Sequence, residues 1–461
     1  MQPGSHILRL PLNSFLDQTD MLRQAGLLVS GNLISRMIFA LVTIALARRM
    51  SPGGYGAFSY ALAVVSFASY FCELGLQNTY LRDAAGRLAG WRECSMTALY
   101  IRVGLALVVC GVVGVTLPWL VTNPLSRQCV AWMLIPGVMG TMLTNWTTGV
   151  MLSRSDSTAI FRARLRAAAA QFACVAIGLL LPVVDDVAKA RTVALAYGLG
   201  LFLGGLCGTR SLKIQSIHLR LNRARHFAMR LIKGLHAYMA SGFLYMLAPN
   251  LGVLILGKST DLAIVGTFAL ASRVPQFLYT IPGAVGQAFY PRLFQATREN
   301  RQKVWTDLLF KEVIFLLVTG VLLAGSVLVS APLILAILGQ RHDPAYGAAL
   351  KTAVLIGAAM IFIQSLSAPL GHALETSERA HLRTYAQAFA LIVGGILFHE
   401  LGNRYGVVGA MAAAVSMESI FYLGCLMFLA PGMNRTDAKR IFLPSISVAG
   451  CVLAGCAAIL M

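Results

Sequence analysis

The stretch ARRMSPGGYGAFSYA, residues 47–61, lies between two long apolar segments and carries much of the organisation of the chain. Two arginines, a proline and three glycines fall in one short turn, and the sequence then returns at once to Tyr55-Gly56-Ala57-Phe58. Proline interrupts a helix, and glycines let helix backbones approach closely in an apolar medium. The turn therefore reads as the junction of two membrane-crossing helices, with Gly53, Gly54 and Gly56 expected to bring those two helices together.

The remainder of the chain agrees. Of 461 residues, 57% are hydrophobic and only 12% charged, against roughly a quarter charged in soluble proteins. Charge-poor runs of about twenty residues, long enough to cross a ~30 Å hydrocarbon core as helices, are expected near 25–47, 56–80, 96–121, 129–152, 168–185, 192–208, 234–257, 262–290, 313–338, 347–373, 384–398 and 406–430, with a thirteenth near 441–460. The runs do not alternate apolar and polar residues, which argues against a β-barrel. The fold class is thus all-α integral membrane, with about 12–13 transmembrane helices. Lysines and arginines number 26 in the amino-terminal tail and alternate loops and 8 in the other loops, with Arg36, Arg102 and Arg273 deep inside spans and Lys351 near the start of the 347–373 span. The positive-inside bias places the amino terminus in the cytoplasm and the 47–56 turn outside.

The net charge of +20 is then largely a matter of topology and of anionic lipid at the cytoplasmic face. No nucleic-acid motif accompanies it. The nine cysteines show no metal-ligand or disulfide spacing, and those in spans read as small buried apolar residues. The organisation expected is a cytoplasmic tail (1–24), an amino-terminal six-helix lobe (25–208), a basic cytoplasmic linker (209–233), a carboxy-terminal six-helix lobe (234–430) and an extra terminal segment (431–461). Within the linker, Ile214, Ile217 and Leu221 have the spacing of an interfacial helix, though an ordinary basic loop would look the same.

The opening turn recurs. Tyr55-Gly56-Ala57-Phe58-Ser59-Tyr60-Ala61 aligns with Val265-Gly266-Thr267-Phe268-Ala269-Leu270-Ala271 at an offset of 210, and Tyr80-Leu81-Arg82 aligns with Tyr290-Pro291-Arg292 at the same offset. Six spans separate the copies, so both halves have one orientation, as in transporters whose halves are related by an axis along the membrane normal.

Gly31-Asn32, then ALARRMSPGGYGAFSYA, then CELGLQNTYLRDAA resembles the polysaccharide-transport family of the multidrug/oligosaccharidyl-lipid/polysaccharide exporter superfamily. The matching positions are Ala47-Arg48, Ser51-Pro52, Tyr55-Gly56, Glu73-Leu74-Gly75-Leu76 and Arg82-Asp83. The resemblance implies two six-helix lobes around a central cavity. It also implies a transporter, not an enzyme, that flips undecaprenyl-diphosphate-linked oligosaccharides across the bacterial inner membrane. The partners implied are the polyprenyl-diphosphate-linked glycan, anionic membrane lipid and the polysaccharide polymerase machinery. No cofactor is expected beyond a coupling ion, Na⁺ or H⁺.

Charges inside spans bear on the site. Arginine stays ionised and its planar fork matches phosphate oxygens, yet at a helix centre it costs roughly 2.5–3.5 kcal/mol on insertion scales. Arg36 and Arg273 each lie about eleven residues into a span, ~16 Å deep, one in each half. They are candidates for the cavity, with Asn32, or else for structural pairing. Glu73 and Arg102 share a depth on sequential helices and read as an ion pair, structural or coupling. Glu418 stands alone in mid-span, available for a coupling cation or for Arg273. Arg82 and Arg292, ending the second helix of each half, are candidates for attracting the lipid diphosphate at the cytoplasmic face. His372 and His399 read as interfacial, and Pro249, Pro275, Pro282 and Pro369 as helix breaks that could serve as hinges.

The competing functions are a multidrug or cation antiporter of the same superfamily, a murein-precursor lipid flippase and an integral-membrane polymerase or ligase. The first would call for an acid-lined pocket, whereas positive charge predominates here. The last generally needs a sizeable outer loop with catalytic residues.

Overall fold

A backbone amide in lipid has no water to bond, so each spanning segment must satisfy itself, and the helix does so. The computed structural model describes residues 16–84, 91–154, 156–182, 185–212, 221–338, 344–377, 379–434 and 440–442, and among them no strand occurs. The helices are α1 (Leu16–Arg49), α2 (Pro52–Glu73), α3 (Leu76–Ala84), α4 (Trp91–Leu120), α5 (Pro124–Ser153), α6 (Ser157–Leu180) and α7 (Asp186–Ser211). There follow α8 (Leu221–Leu247), α9 (Leu251–Ser259), α10 (Leu262–Leu278), α11 (Thr280–Arg298), α12 (Gln302–Leu338), α13 (Pro344–Thr376) and α14 (Ala380–Leu429).

Several of the few polar residues act at helix starts. Ser51 Oγ accepts from Gly54 N with Pro52 in the first turn of α2, and Asn123, Asp156, Asp185 and Asp261 likewise accept from the first amides of α5, α6, α7 and α10. Such caps satisfy amides that a helix itself leaves open. Among the described residues, nine helical segments are long and apolar enough to cross a membrane, and the pair α8–α9 makes a tenth, bent by 57° at Ala248–Asn250. The bend falls on Pro249, as the sequence suggests. α5, 30 residues long, is less apolar and packs along α7 and α2 of the same lobe. α14, with 50 residues, supplies two crossings, because Gly406 (φ 57°, ψ −132°) breaks it where the chain turns back. The chain is a multi-pass membrane protein.

α1 to α7 pack chiefly with one another, through α5 against α7 and α2, α6 against α7, and α1 against α6; α9 to α14 pack around α13 in the same way. These are the two lobes. Large apolar side chains left exposed, among them Val115, Trp119, Leu322 and Val329, form the surface that a hydrocarbon solvent accepts. The second helix of each half is broken. α2 passes to α3 through Leu74 and Gly75, both at positive φ, and α10 passes to α11 at Tyr279.

The repeated glycines meet. A Cβ on Gly56 would overlap the Leu262 carbonyl oxygen and lie 3.0 Å from Gly266 N; one on Gly266 would overlap the Pro52 carbonyl oxygen and lie 2.9 Å from Gly56 N. Equivalent positions 210 residues apart therefore touch backbone to backbone, as happens at a two-fold axis. This corrects the expectation for the turn: Gly56 brings α2 against α10 of the other lobe, not against α1. Gly53 is open, with Leu262 Cβ at 4.0 Å from its would-be Cβ, and Gly54 faces Ser51 Oγ and Ala190. A local pattern announces close packing without naming the partner.

α8 begins at Leu221, so the second part of the 209–233 segment is already helical and continues into the seventh span. The tail residues 1–15, Ile214 and Ile217 of the apolar stripe, the turn at 339–343 and residues 443–460 of the thirteenth span lie outside the described residues.

Candidate functional site: a cationic cavity against α1

A cavity of about 960 Å³ opens between α1 and the second lobe, near the top of the ~300–1,000 Å³ range of ligand pockets. Among the described residues of the first lobe only α1 lines it, through Arg36 to Ile44; α8, its bend at Ala248 and Pro249, α10, α11, α12, α13 and α14 supply the rest. α2 is held away from it. At the turn end, α2 is pressed onto α10 at the glycine crossing. Farther along, Tyr70 Oη donates to Met239 O at 2.5 Å, and Phe67, Tyr70 and Phe71 surround Phe243 of α8. At the turn end the lobes are also joined by Arg48, whose Nε and Nη2 donate to the carbonyls of Ile337 (2.9 Å) and Ala336 (2.7 Å) in the last turn of α12. A cation there also meets the negative end of the helix dipole.

The cavity brings together Arg36, Arg273 and Glu418 from the sequence-based set. Arg36 Nη1 donates to Thr280 Oγ1 of α11 at 2.9 Å. Arg273 Nη1 donates to Gln276 Oε1 at 3.0 Å, its guanidinium sits 5.1 Å from the centre of the Phe39 ring of α1, and its buried Nε has no partner. Arg36 and Phe39 are three residues apart on one face of α1, so each arginine is steadied across the lobe boundary by a neutral group. Among the described residues neither has a carboxylate partner within ion-pair distance. Glu418 Oε1 instead accepts from Gln364 Nε2 at 3.0 Å, so the pairing of Glu418 with Arg273 weighed from the sequence does not occur.

The other candidates lie apart. Asn32, one turn from Arg36, is exposed, does not line the cavity and accepts from Arg164 Nη1 at 2.5 Å. Arg292 is exposed on α11, and the side chain of Arg82, near the end of α3, lies outside the described residues. Glu73 and Arg102 form a bidentate pair away from the cavity. Arg102 Nη2 reaches Oε1 at 2.7 Å and Nε reaches Oε2 at 3.1 Å, while Oε1 also accepts from Gln77 N at the start of α3. Arg102 is 1% exposed, and its charge is met in full. Removing one partner would strand the other, a cost of roughly 3–5 kcal/mol. Glu73→Gln or Arg102→Met alone is therefore expected to lower the membrane abundance of the protein on an immunoblot, and joint replacement by apolar residues to restore most of it.

Two features were not found from the sequence. Arg383, assigned to a cytoplasmic loop by its place between spans, lines the cavity from α14 and pairs with Glu375. His372, taken as interfacial, also lines it and pairs through Nδ1 with Glu312 Oε1 at 2.8 Å. Among the described residues, the charged side chains on the wall are thus Arg36, Arg273, Arg383 and Glu418, with His372 beside them.

The family model described as "Polysaccharide biosynthesis protein" matches residues 21–297, well over half of the chain. The chain belongs to that family. The match covers Gly31-Asn32, the turn at 45–61 and the stretch at 72–85, the residues that carry the resemblance to the polysaccharide-transport family of the exporter superfamily, and it extends over the repeat at 265–271. None of the curated proteins matches the sequence. Solved structures share the fold at low identity. "Lipid II flippase MurJ, inward closed conformation" superposes with a TM-score of 0.70 at 13% identity, over 93% of this chain and 92% of that one. A multidrug resistance MATE family transporter of the MOP superfamily, inward-facing, gives 0.69 at 12% identity over 86% and 95%. A MOP superfamily transporter from Pyrococcus furiosus, described as having a binding pocket of reverse polarity, gives 0.61 at 11% over 90% and 96%. In this polysaccharide biosynthesis protein the two-lobe arrangement is therefore that of flippases and exporters.

Proposed function

We propose that this family member is a transporter that moves a lipid-linked oligosaccharide, carried on a polyprenyl diphosphate, from the inner to the outer leaflet of the bacterial inner membrane for surface polysaccharide synthesis. The observation that carries the reading is the pair Arg36 and Arg273, two cavity arginines with only neutral partners. A diphosphate esterified at both ends bears two negative charges, which two such forks can match in number and geometry. The saccharide would occupy the cavity beside them, and the polyprenyl chain would stay in lipid. Movement follows from alternating access, in which the Arg48 contacts with α12 release as the lobes rotate about the Gly56–Gly266 crossing.

A multidrug antiporter shares the architecture, but a cationic drug would face Arg36 and Arg273, the two cavity arginines that no carboxylate among the described residues neutralises. A lipid-linked murein precursor offers the same diphosphate and would suit the arginines equally. Proteoliposomes separate the antiporter from both lipid-transport readings. The protein should translocate a fluorescent prenyl diphosphosugar between leaflets and leave a cationic dye untransported; dye transport without lipid translocation would favour the antiporter.

A further inference from the structure

Two buried acid–base pairs among the described residues differ in kind. In the first lobe, Glu73 has both oxygens engaged by a permanently charged arginine. In the second, Glu312 of α12 is 0% exposed, yet among the described residues only Oε1 has a partner; Oε2 is buried and meets no donor there. Its partner is a histidine, a group that exchanges protons near neutrality. His372 is 20% exposed and lines the cavity, while its ring packs edge-on against Tyr290 of α11 at 5.7 Å. A pair built only to hold α12 against α13 would leave no carboxylate oxygen bare, because an unmet buried acceptor costs stability.

We propose that Glu312 and His372 form a proton-binding site in the cavity wall, loaded through His372. Empty, the pair is a carboxylate accepting from the Nδ1–H of a neutral imidazole, with net charge −1. A proton from cavity water adds at Nε2. The Nδ1 proton can then pass to Oε1, leaving a neutral carboxylic acid and an Nε2–H imidazole, net charge zero. Among the described residues, the other titratable or charged groups around the pair include Tyr279 of α10, Tyr290 of α11, Glu375 of α13, and Arg383 and Glu418 of α14; Lys311, next to Glu312 on α12, is exposed. Arg383 and Glu375 neutralise each other, so loading changes the charge of this part of the wall by one unit. A wall that has lost a negative charge binds an anion better, and by reciprocity a bound anion draws the proton in. That linkage to cargo rests on the function proposed above; proton binding does not.

The test uses the full chain in lipid bilayers without cargo, titrated from about pH 5 to 8 while the infrared carboxyl bands are followed. The wild type should show a carboxylic-acid component that grows on acidification, is lost in Glu312→Gln, is retained in Glu418→Gln, and moves its midpoint by about one unit or more in His372→Gln. Identical titrations of wild type and Glu312→Gln would overturn the site; should that variant not fold, an unmoved midpoint in His372→Gln would do so. For the linkage, calorimetry with a short-chain prenyl diphosphosugar in two buffers of different ionisation enthalpy should show about one proton taken up by wild type and about none by Glu312→Gln. Equal uptake by both would overturn the linkage. No binding by wild type would instead overturn the cargo reading, leaving the infrared titration to decide the proton site.

Discussion

Gly56→Leu is expected to abolish accumulation of the folded protein, and Gly266→Leu to do the same. At these positions a side chain does not meet another side chain that can turn aside; it meets the backbones of Pro52, Leu262 and the opposite glycine. Overpacking a core typically costs 1–3 kcal/mol when side chains can adjust, and here two helices of different lobes would have to part. Even Gly56→Ala should lower the midpoint of thermal unfolding in detergent. Gly53→Ala, three residues earlier, supplies the control. Its new methyl finds Leu262 Cβ at 4.0 Å, so the change should be neutral within about 0.5 kcal/mol. Equal behaviour of the Gly53 and Gly56 variants would mean that α2 and α10 do not cross where the repeat predicts.

Arg36→Ala and Arg273→Ala should each abolish export of surface glycan in a complementation assay while the protein stays at normal abundance on a membrane immunoblot. The structure sharpens this expectation, since neither arginine neutralises a buried acid. Alanine removes a costly charge from the membrane interior and strands none. Each lost charge-assisted contact is worth about 1.5–3 kcal/mol, or roughly 10- to 100-fold in affinity for the anion. Lysine should keep part of the activity, because it retains the charge and loses the fork. A fall in abundance matching the fall in export would instead assign these residues a structural role.

Much of the architecture was legible in the sequence because its causes are local or periodic. Runs without charge fix the spans, and the repeated Gly56 and Gly266 with their aromatic neighbours fix the relation of the halves. Arg36 and Arg273 stood out because ionised groups in apolar runs need a reason. What escaped depends on contacts between elements distant in sequence. α12 extends eleven residues ahead of its apolar run, so Glu312 looks like a loop charge until the helix carries it against His372. Arg383 looks like one of the positive-inside residues until α14 turns it into the cavity. The role of Gly56 was misassigned for the same reason: its partner lies 210 residues away and not in the preceding helix. Glu418 proved to face Gln364, a neutral residue that charge counting passes over.

The central claim is that two arginines without acid partners hold a lipid diphosphate. Calorimetric titration of the purified protein with a short-chain prenyl diphosphosugar tests it most directly, in wild type, Arg36→Ala and Arg273→Ala. The account predicts saturable binding by wild type, weakened by added salt, and at least 10-fold weaker binding by either variant. Wild-type affinity in both variants, or binding of the uncharged prenyl glycoside as tight as that of the diphosphate, would contradict it.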